Sequence, residues 1–420
     1  MQSELKDNLQ PFGVSSTLIY IALSPLLLLL LNSYLYQLLL FAGYTSFFLP
    51  LLCSVTCLVA CYRHIRKNDR HYDRPDLKMM GIYMTVLFTG IFALDYYIRL
   101  EGGWDAWAMW NLHARLLSSA DSWKNLLHPS MAWNSPDYPL LLPGINAWWL
   151  QVFKGQQSFL AYALTGTVFF LTILSLFFWS FKKTAGIAIF VALLLLSNST
   201  FLHQSSEQGA DILLGLLYLS VIILVEFFRF QNPAINLITG LLLGSVLNTK
   251  NEGILFVGLF CIIYARSIFK NIKSIGAGAF IPVACHLIYQ GFYAPKGYMN
   301  RHTSLNLLQN LVAWEKYRIT FLFAKEALFR NYLAIIPFIL AAGWQLFTPA
   351  RRSYTAILLL LTFIAYHFIY ILYNFDLGWQ LTTSYNRLMI QLYLPMVFKL
   401  CYDLSRIYCA EDAPATGRLL

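Results

Sequence analysis

The chain has 420 residues, of which 58% are hydrophobic and 12% are charged, and its formal net charge is +10. Soluble globular proteins carry about 25% charged residues, so this composition excludes an ordinary soluble domain. The apolar residues form blocks of about 17 to 25, the length of a helix that crosses the hydrocarbon layer. The sequence therefore predicts an all-α, polytopic transmembrane protein that forms a single integral-membrane domain over residues 1–420.

Hydrophobic blocks recur along the whole chain and predict about twelve transmembrane spans. In chain order, these spans lie near 16–38, 41–62, 79–98, 157–181, 185–201, 210–228, 233–248, 253–267, 275–293, 331–348, 354–373 and 386–402. With both termini on the cytoplasmic side, the short inner turns carry Lys and Arg, as the positive-inside rule requires. The positive net charge thus indicates orientation. We expect no nucleic-acid partner, because no basic patch stands apart from these turns.

Two longer outer segments are expected, 99–156 and 294–330. The first contains seven of the eleven tryptophans, among them Trp104 and Trp107, together with carboxylates, histidines and an arginine. Tryptophan favours the membrane interface, so this segment is either a simple aromatic belt or a set of interfacial helices that carry a functional site. Long ordered loops are usually functional, and we favour the second interpretation.

Asp105 is the candidate catalytic residue of the first outer segment. Gly102 and Gly103 predict a sharp turn after the third span, because glycine permits such turns. Asp105 then lies in the first turn of an amphipathic helix that ends near Leu117, close to the positive end of the helix dipole. The carboxylate either caps this helix or lies at the mouth of an outer cavity, where it could act as a general base.

Other polar residues on the predicted outer side are candidates for substrate binding. Asp211 and Glu252 lie at the ends of spans, where an ionised group is costly unless it is paired or hydrated. Asp137 and Tyr138 lie between two prolines that restrain their neighbours. His128 is a single histidine without metal-ligand spacing, so the sequence predicts no metal site, although it does not exclude a divalent cation.

Three cationic residues on the predicted outer side go against the inside bias for positive charge. They are Lys250, Arg387 and Arg301. Salt bridges to the outer carboxylates are one explanation for them. The other is a lipid phosphate at the level of the outer headgroups, for which arginine offers planar two-point recognition and lysine a point charge.

Five motifs carry a resemblance to a known family. They are Asp105 in the first large outer loop, Pro136-Asp-Tyr-Pro-Leu140, Gly209-Ala-Asp211, Thr249-Lys-Asn-Glu-Gly253 and Leu381-Thr-Thr-Ser-Tyr-Asn-Arg387. In their order and topology, over about residues 79–400, they resemble the GT-C superfamily of integral-membrane glycosyltransferases. That superfamily includes the protein O-mannosyltransferases and the lipid A aminoarabinose transferases.

The resemblance implies an enzyme that moves a sugar from a polyprenyl-phosphate carrier to a lipid, glycan or protein acceptor. The reaction would take place on the outer face of the membrane, which for a bacterial inner membrane is the periplasmic face. Asp105 would take the proton of the acceptor hydroxyl, and Lys250 and Arg387 would neutralise the departing phosphate. Aromatic rings would stack on the sugar and exclude water. No cofactor is implied.

Three other classes of membrane protein stay open, and one of them is a non-enzymatic scaffold. A flippase or transporter of lipid-linked glycans would also have many spans and buried charges, although the sequence shows no inverted repeat. An O-antigen-type polymerase or ligase uses the same lipid carriers. Its largest outer loop would come late in the chain, whereas the largest loop here comes early.

Overall fold

The computed structural model describes residues 14–69, 71–99, 102–153, 158–295, 307–348, 353–372 and 376–411. In these ranges the chain is helical and has no β-strand, which confirms the predicted all-α class. The helices, in chain order, are α1 (Ser16–Phe41), α2 (Phe48–Asn68), α3 (Leu77–Asp95), α4 (Asn111–Leu117), α5 (Leu141–Phe153), α6 (Ser158–Ser180), α7 (Ala185–Leu196), α8 (Ser199–Ser206), α9 (Ala210–Phe228), α10 (Pro233–Leu247), α11 (Glu252–Ile263), α12 (Ala265–Lys270), α13 (Ile272–Ile288), α14 (Leu307–Val312), α15 (Trp314–Asn331), α16 (Ile335–Phe347), α17 (Tyr354–Leu372) and α18 (Leu377–Glu411).

The predicted spans all fall on helices, but the helix lengths do not confirm the predicted number of spans. Seven helices of the described ranges are long and apolar enough to cross a membrane, or nine if each of two bent pairs is one span. Helices α10 and α11 are apolar but have only 15 and 12 residues. A straight crossing of the hydrocarbon layer needs about 20 residues, so the lengths of these two helices do not confirm them as spans.

Helix α9 is central to the bundle, and nearly all of its side chains are buried. Helices α18, α10 and α6 pack around it. The contact with α18 is close because residue 215 is glycine: a Cβ there would lie 3.2 Å from the Cα of Gln391. This packing brings the N-terminal end of α9 next to the N-terminal half of α18.

The short turn between α10 and α11 is held by α13. Asn248 ends α10, and its Nδ2 donates to the carbonyl of Pro282 over 2.6 Å. Helices α10 and α13 also form the most extensive helix pair of the described chain, with glycine at the points of closest approach, as is common between membrane helices. The turn that follows Asn248 is therefore fixed against the bundle.

Two pairs of helices are broken rather than continuous. Helices α7 and α8 meet at 70°, and α15 and α16 meet at 116°. At the first break, Asn198 caps α8 by accepting from the backbone of Phe201, and its Nδ2 donates to the carbonyl of Asn331 at the second break over 2.9 Å. Broken backbone at membrane depth is tolerated where it is buried in protein or lines a water-filled cavity.

The first outer segment is mostly helical, as the sequence predicted. Gly102 has a φ of +71° and makes the expected turn after α3. A π-helical turn, Ala106–Trp110, leads directly into α4. The second outer segment is also largely helical where it is described, because α14 and most of α15 lie within 294–330.

Candidate functional site

A chain of ion pairs joins four parts of the bundle: the segment before the π-helical turn, the first turn of α9, the junction of α10 and α11, and the N-terminal part of α18. Lys250 Nζ lies 2.8 Å from Asp211 Oδ1, and Arg387 Nε lies 3.0 Å from Asp211 Oδ2. Arg387 Nη2 lies 2.5 Å from Asp105 Oδ2. Lys250 also lies 3.4 Å from Glu252. Five of the residues singled out in the sequence thus form one connected network, which we call the outer ion network after the side of the membrane that the sequence predicts for it.

Asp211 is the buried centre of the outer ion network. It lies in the first turn of α9, where the positive end of the helix dipole favours a carboxylate. Only 4% of its side chain is exposed, against 6% for Lys250. Gln391 Nε2 donates to Asp211 Oδ1 over 2.6 Å. Burying these charges is tolerable because each is paired and hydrogen-bonded.

Asp105 does not cap its helix. It directly precedes the π-helical turn, and its side chain makes no capping hydrogen bond. Its carboxylate contacts Arg387 instead, and the two side chains are 30% and 24% exposed. Asp105 therefore lies at the partly exposed end of the outer ion network, and its role as a general base stays a prediction.

The turn between α8 and α9 fixes the segment that carries Asp105. The backbone N–H of Gly103 donates to the carbonyl of Glu207 over 2.9 Å. A Cβ at Gly103 would lie 3.2 Å from the Cδ of Glu207, and one at Gly102 would lie 2.9 Å from its carbonyl oxygen. The two glycines are thus needed for close approach as well as for the turn. Gln208 holds the same segment at both ends, because its side chain donates to the carbonyl of Arg99 and accepts from the side chain of Asn111.

A cavity of about 380 Å³ adjoins the outer ion network. It lies between α8 and the outer part of α18, and Arg387 and Glu207 both line it. Glu207 accepts from Gln204 over 2.6 Å and lies 3.3 Å from His203. The sequence analysis did not single out any of these three α8-side residues.

Burial and pairing shift the pKa values of three outer groups. Burial by itself would lower the pKa of Lys250, but the adjacent Asp211 and Glu252 raise it above the ordinary lysine value. Burial raises the pKa of Glu207, against the opposing effects of His203 and Arg387. Burial also raises the pKa of Asp137. Lys250 is therefore a permanent cation, whereas the two carboxyls are easier to protonate than exposed ones.

The remaining outer candidates lie beside the outer ion network rather than in it. The Pro136–Pro139 segment leads into α5, whose first N–H, that of Leu141, donates to the carbonyl of Asn248 over 3.2 Å. The carbonyl of Asp137 accepts from Gln290 over 2.8 Å. One carboxyl oxygen of Asp137 is buried and has no hydrogen-bond partner among the described residues.

The aromatic and histidine candidates have different surroundings. Tyr138 packs edge-on against the buried Trp110, with ring centroids 5.6 Å apart. Trp104 and Trp107 flank Asp105, stack at 6.0 Å and are exposed. His128 accepts a hydrogen bond from the backbone of Ser130 at the start of a 3-10 helix, which is a capping contact. Arg301 lies outside the described residues.

One oxygen of Glu252 is also buried without a hydrogen-bond partner in the part of the chain that the structure describes. Buried acceptors are normally satisfied, so Glu252 can still accept from a hydroxyl or an amine. The same ranges contain no group of three or more His, Cys, Asp or Glu side chains placed to hold a metal ion.

Comparison with protein-family models, with curated proteins and with solved structures gives no match for this chain.

Proposed function

We propose that this protein is a glycosyltransferase that acts on the outer face of its membrane. It moves a sugar from a polyprenyl-phosphate carrier to a lipid, glycan or protein acceptor. The observation that carries the proposal is the position of Arg387, which contacts a buried carboxylate, Asp211, and an accessible one, Asp105. A cation and a candidate base thus meet at the edge of a cavity, as transfer from a phosphate leaving group requires.

The charge balance of the outer ion network suggests how a phosphate would enter. The network contains three carboxylates and only two cations, and both cations are already paired. A phosphate can therefore bind one of these cations only if it displaces a carboxylate. The accessible contact between Arg387 and Asp105 is the one that can open, because the contact with Asp211 is buried. An incoming phosphate would take the outer nitrogens of Arg387 and free Asp105 to act as a base.

The proposed sugar transfer needs no group other than the substrates and these side chains. The oxygen of the acceptor hydroxyl attacks the anomeric carbon, and its proton passes to the carboxylate of Asp105. The bond between the anomeric carbon and the phosphate oxygen breaks, and the electron pair leaves with the polyprenyl phosphate. Arg387 and Lys250 stabilise the charge that develops there, and such preorganised electrostatic stabilisation is commonly the largest single contribution to catalysis.

A transporter of lipid-linked glycans is the second candidate, and one observation favours it. The two broken helix pairs touch each other, through Asn198 and Asn331, and discontinuous helices that meet near a buried ion network are typical of transporters. Transport moves the lipid-linked substrate without changing its covalent structure, whereas the proposed transferase removes its sugar.

The test separates these candidates. Surface glycans and glycolipids from cells with and without the protein would be compared by mass spectrometry, to identify the sugar and its acceptor. Purified protein in nanodiscs, which have no second compartment, would then receive the matching polyprenyl-phosphate-linked sugar and acceptor. Release of bare polyprenyl phosphate with a glycosylated acceptor supports the transferase. An intact lipid-linked substrate in nanodiscs, together with its movement across liposome membranes, would support transport instead.

A further inference from the structure

The cavity beside the outer ion network is lined by two polar helix faces. On α8, Ser199, Thr200, His203 and Gln204 recur at helical spacing, and Glu207 continues the same face. The opposite face of α8 carries Phe201 and Leu202, which are buried in the bundle. On α18, Thr382, Thr383, Asn386 and Arg387 show the same spacing and line the other wall. Residues three and four apart lie on one side of a helix.

These walls offer hydrogen-bond acceptors and donors at several levels. The hydroxyl of Thr383 donates to the carbonyl of Trp379 over 2.8 Å. The hydroxyl of Thr382 likewise donates to the carbonyl of Gly378, one turn earlier in the same helix. Their oxygens keep lone pairs for a ligand. Glu207 supplies a partly buried carboxylate, and Tyr97 adds an aromatic ring to the lining. This is the set of groups that a ring with several hydroxyls needs.

We infer that the cavity between α8 and α18 is a binding subsite for a sugar ring, oriented by hydrogen bonds from its hydroxyls to Glu207 and the α18 threonines. The inference deepens the proposed function and rests on it for the choice of a sugar as ligand. The volume of about 380 Å³ is at the small end of the range for small-molecule sites. Arg387 lines the cavity and contacts Asp105, so the subsite is linked to the candidate base through this side chain.

The experiment uses methyl glycosides as probes of the full-length protein in nanodiscs, detected by saturation-transfer NMR. A panel of methyl hexosides, pentosides and N-acetylhexosaminides should contain at least one that binds the unmodified protein. Glu207→Gln should weaken its binding roughly tenfold, because a hydrogen bond to a charged group is weakened, and Thr383→Val should weaken it roughly threefold to tenfold, because a neutral hydrogen bond contributes less. Either variant suffices if the other does not fold.

Matched controls come from residues of the same type elsewhere. Thr85→Val removes an exposed threonine of α3 whose hydroxyl, like that of Thr383, donates to the carbonyl four residues earlier. Glu315→Gln removes an exposed carboxylate of α15 that is paired with an arginine. Both should leave glycoside binding unchanged. Absence of binding by every glycoside, or equal binding by the α8 and α18 variants and the controls, would overturn the inference.

Two further measurements test the sugar subsite separately from the proposed transferase activity. Displacement of the glycoside by polyprenyl-phosphate-linked sugar, but not by bare polyprenyl phosphate, would place the donor sugar in the cavity. Displacement by neither would assign the cavity to the acceptor, and both outcomes support a sugar subsite. Glycoside binding without any binding of polyprenyl phosphate would retain the subsite and contradict the transferase.

Discussion

Asp105 and Asp211 share one guanidinium group. Arg387 contacts Asp105 through Nη2 and Asp211 through Nε, so one side chain connects an accessible carboxylate to a buried one. A substitution of Arg387 removes a partner from both carboxylates, and a substitution of either carboxylate removes a partner from Arg387. Effects on stability and on ligand binding must therefore be measured separately for each variant.

Asp105→Asn should reduce sugar transfer about 10²-fold or more, because asparagine cannot accept the proton of the acceptor hydroxyl. The fold should survive, since the side chain is partly exposed and asparagine keeps a hydrogen-bond acceptor toward Arg387. Transfer assays with purified protein, alongside thermal unfolding in detergent, measure both effects. The control is Asp121→Asn, an exposed residue of the same segment. Full transfer by Asp105→Asn would exclude Asp105 as the base.

Arg387→Lys should retain only part of the affinity for polyprenyl phosphate. Lysine keeps the charge but cannot hold Asp211 and a phosphate at the same time with separate, fixed nitrogens. Arg318→Lys changes an exposed arginine, paired with Glu315 on α15, and should have no effect. The measurement is the dissociation constant of polyprenyl phosphate for protein in nanodiscs. Equal affinities for all three proteins would assign Arg387 to structural pairing alone.

Lys250→Met and Lys399→Met form a matched pair. Both lysines are almost fully buried and paired with carboxylates, Lys399 with Asp403 and Glu226 in the inner part of the bundle. Removal of one partner from a buried ion pair costs about 3–5 kcal/mol, so both variants should unfold at lower temperature. Only Lys250→Met should also lose affinity for polyprenyl phosphate, roughly tenfold. Loss of affinity in both variants would point to a general structural defect.

His113 should make the protein less stable in acid. It is fully buried in α4, and burial lowers its pKa to about 4. Between the ordinary histidine pKa of about 6.5 and the folded value, the unfolded chain binds more protons, so stability falls as the pH falls through this window. The loss approaches about 3 kcal/mol near pH 4. Thermal unfolding of His113→Gln from pH 7.5 to 4.5 should be less pH-dependent than that of the parent, while the exposed His71→Gln should match the parent.

The predicted orientation can be tested by cysteine labelling in a background without native cysteines. Asp121→Cys lies in the first outer segment and Asp73→Cys in the turn between α2 and α3, and both positions are exposed. A membrane-impermeant maleimide should label Asp121→Cys in intact cells and Asp73→Cys only after the membrane is opened. The reverse pattern would place the outer ion network on the cytoplasmic face.

The meeting of Asp105, Asp211, Lys250 and Arg387 could be anticipated from the sequence because each lies at the outer end of a predicted span. Topology brings such ends to one face of the membrane, although it gives no distances. Their contacts depend on tertiary features such as Gly215, which lets α18 approach α9. Periodicity within one segment carries no information on such contacts.

Neither the apolar blocks nor the isolated charges of the sequence indicate a site at Glu207 and the polar face of α8. Their signal was present as polar residues at helical spacing, 199, 200, 203, 204 and 207, matched by 382, 383, 386 and 387. The number of spans could not be read from hydrophobicity either, because α7 and α8 break within one apolar block. A break of this kind depends on the capping and tertiary contacts of Asn198.

The order of synthesis gives the two cations of the outer ion network different roles during assembly. Lys250 follows Asp211 by 39 residues in the chain, whereas Arg387 follows it by 176. At about 5–20 residues per second, Arg387 is made roughly 9 to 35 s after Asp211. Asp211 lies in the first turn of α9, where an unpaired carboxylate is less costly than at the centre of an inserting helix. Lys250 is therefore the first of the two cations that can pair with Asp211, and Arg387 completes the network only when α18 is made.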